Sequence, residues 1–327
     1  MLHAPAKLHH EDTPLLRILF LLLIFFSCPA VSQAQWTAEL SPCAPALLFA
    51  ADKARNLLFQ VENPSGNLEI SRQFPCIHGR IEGDKQKRGD LRTPEGIYFI
   101  TRKITQPLDF MEYGPHAFNL NYPNPADRLK GKTGGGIWLH SKGQPINGIR
   151  TRGCLAIEQQ DIISLLPLLS PGTALVIAEN LRGIPFESEP DVSSEQQYSL
   201  SAGQTASALK PDGQKILEQT LSWLDCREQC SEKIFDLYDR KNYPLGSREK
   251  FSALQKRMKA DFRKQEDLIL DKDSVRILAG PDYYVSLFSK TYRHKGTLNQ
   301  GIQALYWMPD AGGTFRIIGE VWLPSAL

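Results

Sequence analysis

Two segments of this chain carry side chains able to do covalent chemistry: Gly136-Ile137-Trp138-Leu139-His140 and Thr151-Arg152-Gly153-Cys154-Leu155-Ala156. Cys154 follows His140 by fourteen residues, and Gly153 stands directly before the thiol. Nucleophilic catalysis by cysteine needs a base to draw off the thiol proton and backbone N–H groups to meet an oxyanion. A glycine beside the nucleophile lets substrate and backbone approach closely. Cys154 is therefore the expected nucleophile and His140 the expected general base and acid. Arg152 offers paired N–H donors for a substrate carboxylate, against the plainer reading of a solvated loop arginine. Thr151 is read as a loop or substrate contact.

The elements that must position these residues are short strands. Ala46–Ala50 and Asn56–Val61 flank a polar turn and predict a hairpin. Glu62–Asn67 reads as a second turn. Ile97–Ile100, Ile137–His140 and Ala174–Ile177 are further strands, and Glu158–Leu169 is the one helix expected among them. This predicts a mainly β sandwich or barrel over residues 44–180, with His140 at a strand end and Cys154 on the loop after it. A polar stretch, residues 181–211, reads as a linker. Residues 212–327 begin with helical patterns and continue with strand-like runs, which predicts a second domain of α+β type.

Composition fixes less. Formal net charge is +2, from 38 basic and 36 acidic residues, so no electrostatic case exists for a nucleic-acid partner. The N-terminus says more. Basic residues precede the apolar run Ile18–Phe26, and Ser32-Gln33-Ala34 follows with small residues at the ends of the triplet. That order predicts a secretory signal peptide over residues 1–34, cleaved near Ala34, and an exported protein of the periplasm or cell envelope. In an oxidising compartment Cys43, Cys76, Cys226 and Cys230 become disulfide candidates, of undetermined connectivity, and Cys154 is the natural thiol left over. No Cys/His spacing fits a metal site, and no cofactor is expected.

Residues Ala46 to Ala178 resemble an L,D-transpeptidase (YkuD-type) catalytic domain. The resemblance rests on Gly89-Asp90-Leu91-Arg92-Thr93-Pro94-Glu95-Gly96-Ile97-Tyr98, on Ile137–His140, and on Thr151-Arg152-Gly153-Cys154, in the family's order. The Thr-Pro-Glu-Gly-x-Tyr segment carries no evident chemistry and speaks for the fold. Arg152 stands where the family commonly has His, Ala156 where it has Asn or Arg, and Ser141 where Gly is frequent. These traits resemble the branch that includes cell-shape L,D-carboxypeptidases, some of which carry an NTF2-like C-terminal domain. Residues 212–327 resemble such a domain loosely.

The resemblance implies peptidoglycan stem tetrapeptides as the substrate, cut between the diamino acid and D-Ala. Cys154 would form a thioester, as a thiolate paired with protonated His140. The N–H of Cys154, with that of Gly153 or a neighbour, would form the oxyanion hole, each donor typically worth about 3 kcal/mol. An amine acceptor would give a cross-link (L,D-transpeptidase), and water would give trimming (L,D-carboxypeptidase). An amidase releasing protein from the diamino acid, and a non-catalytic wall-binding scaffold, are the competing readings. His78 and His116 read as structural or exposed. The C-terminal aromatics, Trp223, Tyr283, Tyr284, Tyr292, Tyr306, Trp307 and Trp322, read as core before pocket. A homodimer or a partner protein held through that domain is the remaining expectation.

Overall fold

The apolar runs of the first half are strands covered on both faces, which is why they show little polar alternation. In the computed structural model the described residues are 35–182, 209–264, 268–294 and 296–324. The expected signal peptide, and all but the ends of the expected linker, lie outside them. The first half contains β1 (Thr37–Glu39), β2 (Leu47–Asp52), β3 (Leu57–Glu62), β4 (Glu69–Ile77), β5 (Gly96–Lys103), α1 (Phe110–Tyr113), β6 (Ala117–Leu120) and α2 (Pro125–Leu129). It continues with β7 (Trp138–His140), β8 (Leu155–Ile157), α3 (Gln159–Leu165), β9 (Ala174–Ala178) and β10 (Asn180–Arg182). Strands β2-β3-β4-β8-β7-β6-β5-β9 close into a barrel, and β1 pairs with β10 alongside.

The barrel interior is filled by Phe49, Leu58, Phe74, Tyr98, Ile100, Phe118, Leu139, Leu155, Leu175 and Ile177, capped by Ile162 and Leu165 of α3. The alternate residues of β2, β3, β5 and β9 belong to a different cluster: Leu48, Ala50, Phe59, Val61, Ile97, Phe99, Ala174 and Val176. They pack with Leu278, Tyr283, Val285, Leu287, Ala304 and Tyr306 of the second half. Strands buried on both sides read as continuous apolar runs.

The second half contains α4 (Pro211–Glu228), α5 (Tyr243–Ser247), α6 (Phe251–Lys264), β11 (Leu268–Leu270), β12 (Arg276–Ala279), β13 (Tyr284–His294), β14 (Thr297–Pro309) and β15 (Phe315–Pro324). Its five-stranded sheet runs β11-β13-β14-β15, with β12 also on β13. One face lies on the barrel, and the other packs on α4, α5 and α6 through Trp223, Leu224, Tyr243, Leu254, Phe288 and Trp307. The predicted helix at the start of this half is α4, and the predicted strands are cores of β12 to β15. From Gln35 onward the described residues form one compact unit. Tyr283 is the main plug between the halves. Its hydroxyl accepts from Ile97 N at 2.8 Å and from Asn124 Nδ2 at 3.0 Å.

The cysteines divide differently from the disulfide expectation. Cys76 is buried in the barrel interior, while Cys43 and Cys226 pack on the C-terminal core. Cys76 and Cys43 therefore belong to different clusters. Cys76, Cys226 and Cys230 are free thiols, so the odd count does not single out Cys154. Geometry must do that instead.

Candidate active site

Strands β7 and β8 lie side by side and parallel, with Leu139 opposite Leu155 and His140 opposite Ala156. Because side chains alternate, the two leucines enter the barrel interior while Trp138 and His140 take the outer face. Extending the same register by one residue sets Cys154 beside Trp138. The thiol and the imidazole thus share one face, a diagonal step apart, a separation that long side chains span. Ala156, directly opposite His140, has no side chain beyond Cβ to block the ring. This outer face of β7 and β8 is not covered by the C-terminal sheet, unlike that of β2, β3, β5 and β9.

The nucleophile turn is held from two sides. Thr151 Oγ1 donates to the Cys154 carbonyl at 2.6 Å and accepts from Gly153 N at 3.1 Å. Thr93, fully buried, accepts from Gly79 N at 2.8 Å and donates to the Gly153 carbonyl at 2.9 Å. Gly153 has φ +132°, and a Cβ there would lie 2.7 Å from the Arg92 carbonyl oxygen. Only glycine fits both the dihedral and the close approach. So the Thr-Pro-Glu-Gly segment, which had no visible chemistry, clamps the turn that carries the thiol. Its Glu95 meanwhile accepts from Lys53 at 2.6 Å and from Trp36 N at 2.9 Å.

These bonds correct one expectation. The Gly153 N–H is already given to Thr151, so it is not a ready oxyanion donor. Thr151 is likewise a clamp inside the turn, itself held by donation of its N–H to the His78 carbonyl.

His140 is 1% exposed and its Nδ1–H donates to the Ser141 carbonyl at 2.5 Å. That bond assigns the tautomer and leaves Nε2 as the acceptor nitrogen. Burial pushes His140 down to about 4, against the Ser141 bond, which acts upward. Burial pushes the half-buried Cys154 thiol up to about 11, although the backbone amide of Trp138 bonds the sulfur and favours the thiolate. The thiol donates to the Gly136 carbonyl at 3.5 Å. Burial thus disfavours the charged form of each group and acts against the thiolate–imidazolium pair expected from the resemblance.

Arg152 is exposed and makes no ion pair or hydrogen bond with any described residue. His78 is buried between the Lys53 carbonyl and Arg150, and burial with those two cations pushes it down to about 4. It is a structural residue behind the turn. His116 is half-buried on the strand side of the same region.

Sequence reasoning passed over three residues. Tyr113 ends α1 with its ring edge-on to His140 at 5.3 Å and tilted on Trp138 at 5.1 Å. Glu112 pairs with buried Lys142 at 3.2 Å. The pair lies near both His140 and Cys154, close enough to act on their charges. Nothing in a four-residue helix announces this; the only signals were Asp109, which caps it, and Gly114, which ends it.

The second half holds a concavity of about 1010 Å³, among whose lining residues are Arg227, Glu249, Arg257, Lys290, Glu320 and Trp322. Trp223, Tyr283, Tyr306 and Trp307 are buried core, while Tyr292 and Trp322 face the cavity.

Comparison with known proteins follows this geometry. Bd1075 of Bdellovibrio bacteriovorus superposes with a TM-score of 0.57 at 23% identity, covering 86% of this chain and 94% of that one. The helical cell shape determining protein Pgp2 of Campylobacter jejuni gives 0.53 at 24% identity, over 85% and 92%. These likenesses establish a shared fold across both halves. YafK of Escherichia coli (strain K12), which is named for the L,D-transpeptidases, is 35% identical over 87 residues, 27% of this chain and 32% of its own. This chain thus spans about a third of that relative's length. The family model for the L,D-transpeptidase catalytic domain matches residues 49–177, the barrel together with the Cys154 turn. This chain carries, over that segment, a YkuD-type L,D-transpeptidase catalytic domain.

Proposed function

We propose that this protein is an exported cysteine enzyme acting on peptidoglycan, with stem tetrapeptides as acyl donors and L,D-carboxypeptidase trimming as its outcome. The observation that supports this reading is the pairing of β7 with β8, which sets His140, with Nε2 free, and Cys154 on adjacent strands at one end of the barrel. Sγ of Cys154 attacks the carbonyl carbon of the diamino acid as His140 Nε2 takes the thiol proton. The oxyanion needs a donor, and with Gly153 N–H committed to Thr151, the Cys154 N–H is the group for that work. Collapse breaks the peptide bond, and Nε2 returns the proton to the departing D-Ala amine. Water then attacks the thioester while His140 accepts its proton, releasing tripeptide and restoring the thiol. Arg152, exposed and unengaged beside the turn, binds the terminal carboxylate of the donor. A peptide amine in place of water would give the transpeptidase outcome from the same residues. Residues 212–327 are read as an NTF2-like accessory region.

The experiment is incubation of mature protein with purified disaccharide-tetrapeptide, followed by mass spectrometry. Loss of one D-Ala, absent with Cys154→Ala, is the expected result. Dimers in place of tripeptide would assign transpeptidation. No turnover of this donor or of intact wall by the wild-type protein would sink the reading.

A further inference from the structure

The geometry points to Tyr113 as a positioning residue of the Cys154–His140 site, its ring fixing the plane of the imidazole and walling the cleft above the thiol. The inference rests on the proposed function only for its substrate; the placement of thiol and imidazole is independent of it.

The observations converge on one ring. Tyr113 contacts His140 edge-on and leans on Trp138, so it spans both outward residues of β7. Trp138 is itself held, its Nε1–H donating to Asn119 Oδ1 on β6 at 3.1 Å. Offset and edge-on ring pairs at such distances are favoured by the quadrupoles of the rings, beyond the area they bury. The ring is half-buried, so one side packs and the other borders the cleft. Burial raises the pKa of its hydroxyl, Cys154 raises it further and Arg152 lowers it, so both lie within electrostatic reach of the ring. The same ring therefore faces the base, the nucleophile and the one exposed cation of the turn.

The helix carrying Tyr113 is tied down locally. Asp109 caps it by accepting from Glu112 N at 3.1 Å, and Gly114 N donates to the Phe110 carbonyl at 2.8 Å. Gly114 has φ +60°, and a Cβ there would lie 2.2 Å from Ser141 Oγ. Its backbone thus lies against the residue whose carbonyl orients His140. Lys142, buried, closes the other side by binding the Glu112 carbonyl and carboxylate, both at 3.2 Å. Helix, ring and His140 are thus linked by packing and hydrogen bonds. His140 has a single fixed hydrogen bond, at Nδ1, which leaves rotation about that bond to be restrained by packing, and Tyr113 is the ring that packs there.

The test compares Tyr113→Phe, Tyr113→Leu and Tyr113→Ala with wild type by two readouts. The first is the rate and pH profile of Cys154 alkylation by iodoacetamide, followed on its own peptide by mass spectrometry. The second is kcat and KM for the tetrapeptide. Tyr113→Phe should stay within about twofold in both, because the ring is kept. Tyr113→Leu and Tyr113→Ala should slow alkylation near pH 7 and kcat by about 10-fold or more, with KM moved less, as misplacement of catalytic groups does. His140→Ala alone should produce a similar alkylation rate and no further loss when combined with Tyr113→Ala. Wild-type alkylation in Tyr113→Leu and Tyr113→Ala, with melting temperatures unchanged, would overturn the inference. So would a Phe variant as slow as Ala, since the hydroxyl would then be acting. If wild type turns over no tetrapeptide yet alkylation depends on Tyr113 and His140, the donor assignment fails and the positioning role stands.

Discussion

The barrel and the C-terminal half treat charge in opposite ways. At the site end of the barrel burial disfavours charge on Cys154 and His140, Lys142 pairs with Glu112 and Lys53 with Glu95, while Arg152 is left to solvent. The C-terminal cavity instead presents several charges of both signs to one space, with Lys290 lying over the rings of Tyr292 and Trp322. A buried thiol and base beside an exposed cation suit a covalent step, since low dielectric strengthens each fixed interaction. The C-terminal cavity instead gathers Cys230 with charges of both signs. The two halves are joined through Tyr283.

The largest expected effect follows from breaking the site half. Gly153→Ala should reduce turnover by about 100-fold or more, because the new Cβ meets the Arg92 carbonyl and moves the adjacent thiol. Its stability should fall by about 1–3 kcal/mol for the unfavourable dihedral. Denaturant unfolding with steady-state kinetics on the folded variant separates the two losses. Near-normal turnover would show that the turn is not the device described.

The next test addresses how the halves are joined. Tyr283→Phe removes the acceptor of Ile97 N and Asn124 Nδ2, both buried, and should cost about 1–3 kcal/mol. Because the core is continuous, one cooperative transition should persist by calorimetry. Two separated transitions would make the halves independent domains and weaken the comparison.

A pH series sharpens it further. His78 and His140 each stand at about 4 in the folded chain against 6.5 in the unfolded one. The unfolded chain therefore binds more protons between those values, and stability is lost as pH falls from about 6.5 toward 4. Melting temperatures should drop across that window, less steeply in His78→Gln. Cys154 alkylation should meanwhile keep rising above neutrality toward about 11. A plateau reached before pH 7 would restore the thiolate–imidazolium pair.

The smallest effect is predicted for the other half. Lys290→Met removes a cation from the cavity and should leave kcat and KM for a soluble tetrapeptide within about twofold, since Lys290 lines the C-terminal cavity whereas Cys154 follows the barrel's β7–β8 pairing. A clear loss of kcat would couple the cavity to the chemistry.

How much of this was legible in the sequence varies residue by residue. The strands β2, β3, β5 and β9 were visible as apolar runs between turn signals, and their boundaries came out within a few residues. Strands β4, β6 and β8 were not, because Glu69–Ile77 carries exposed polar residues and Leu155–Ile157 is too short to show a period. Cys154 and His140 were legible from residue type and spacing. Tyr113, Lys142 and the clamp role of Thr93 were not, because each acts on a residue distant in the chain.

What the sequence by itself determined is the reactive pair, the glycine before the thiol and the β character of the first half. These are local: a side chain's chemistry and a backbone's allowed dihedrals travel with the residue. The tertiary structure alone decided that burial weighs against charge on the thiol and imidazole, that Gly153 N–H is spent on Thr151, and that one cluster of apolar side chains joins both halves. Burial and hydrogen-bond partners depend on which segments pack together, and those arrive from far along the chain.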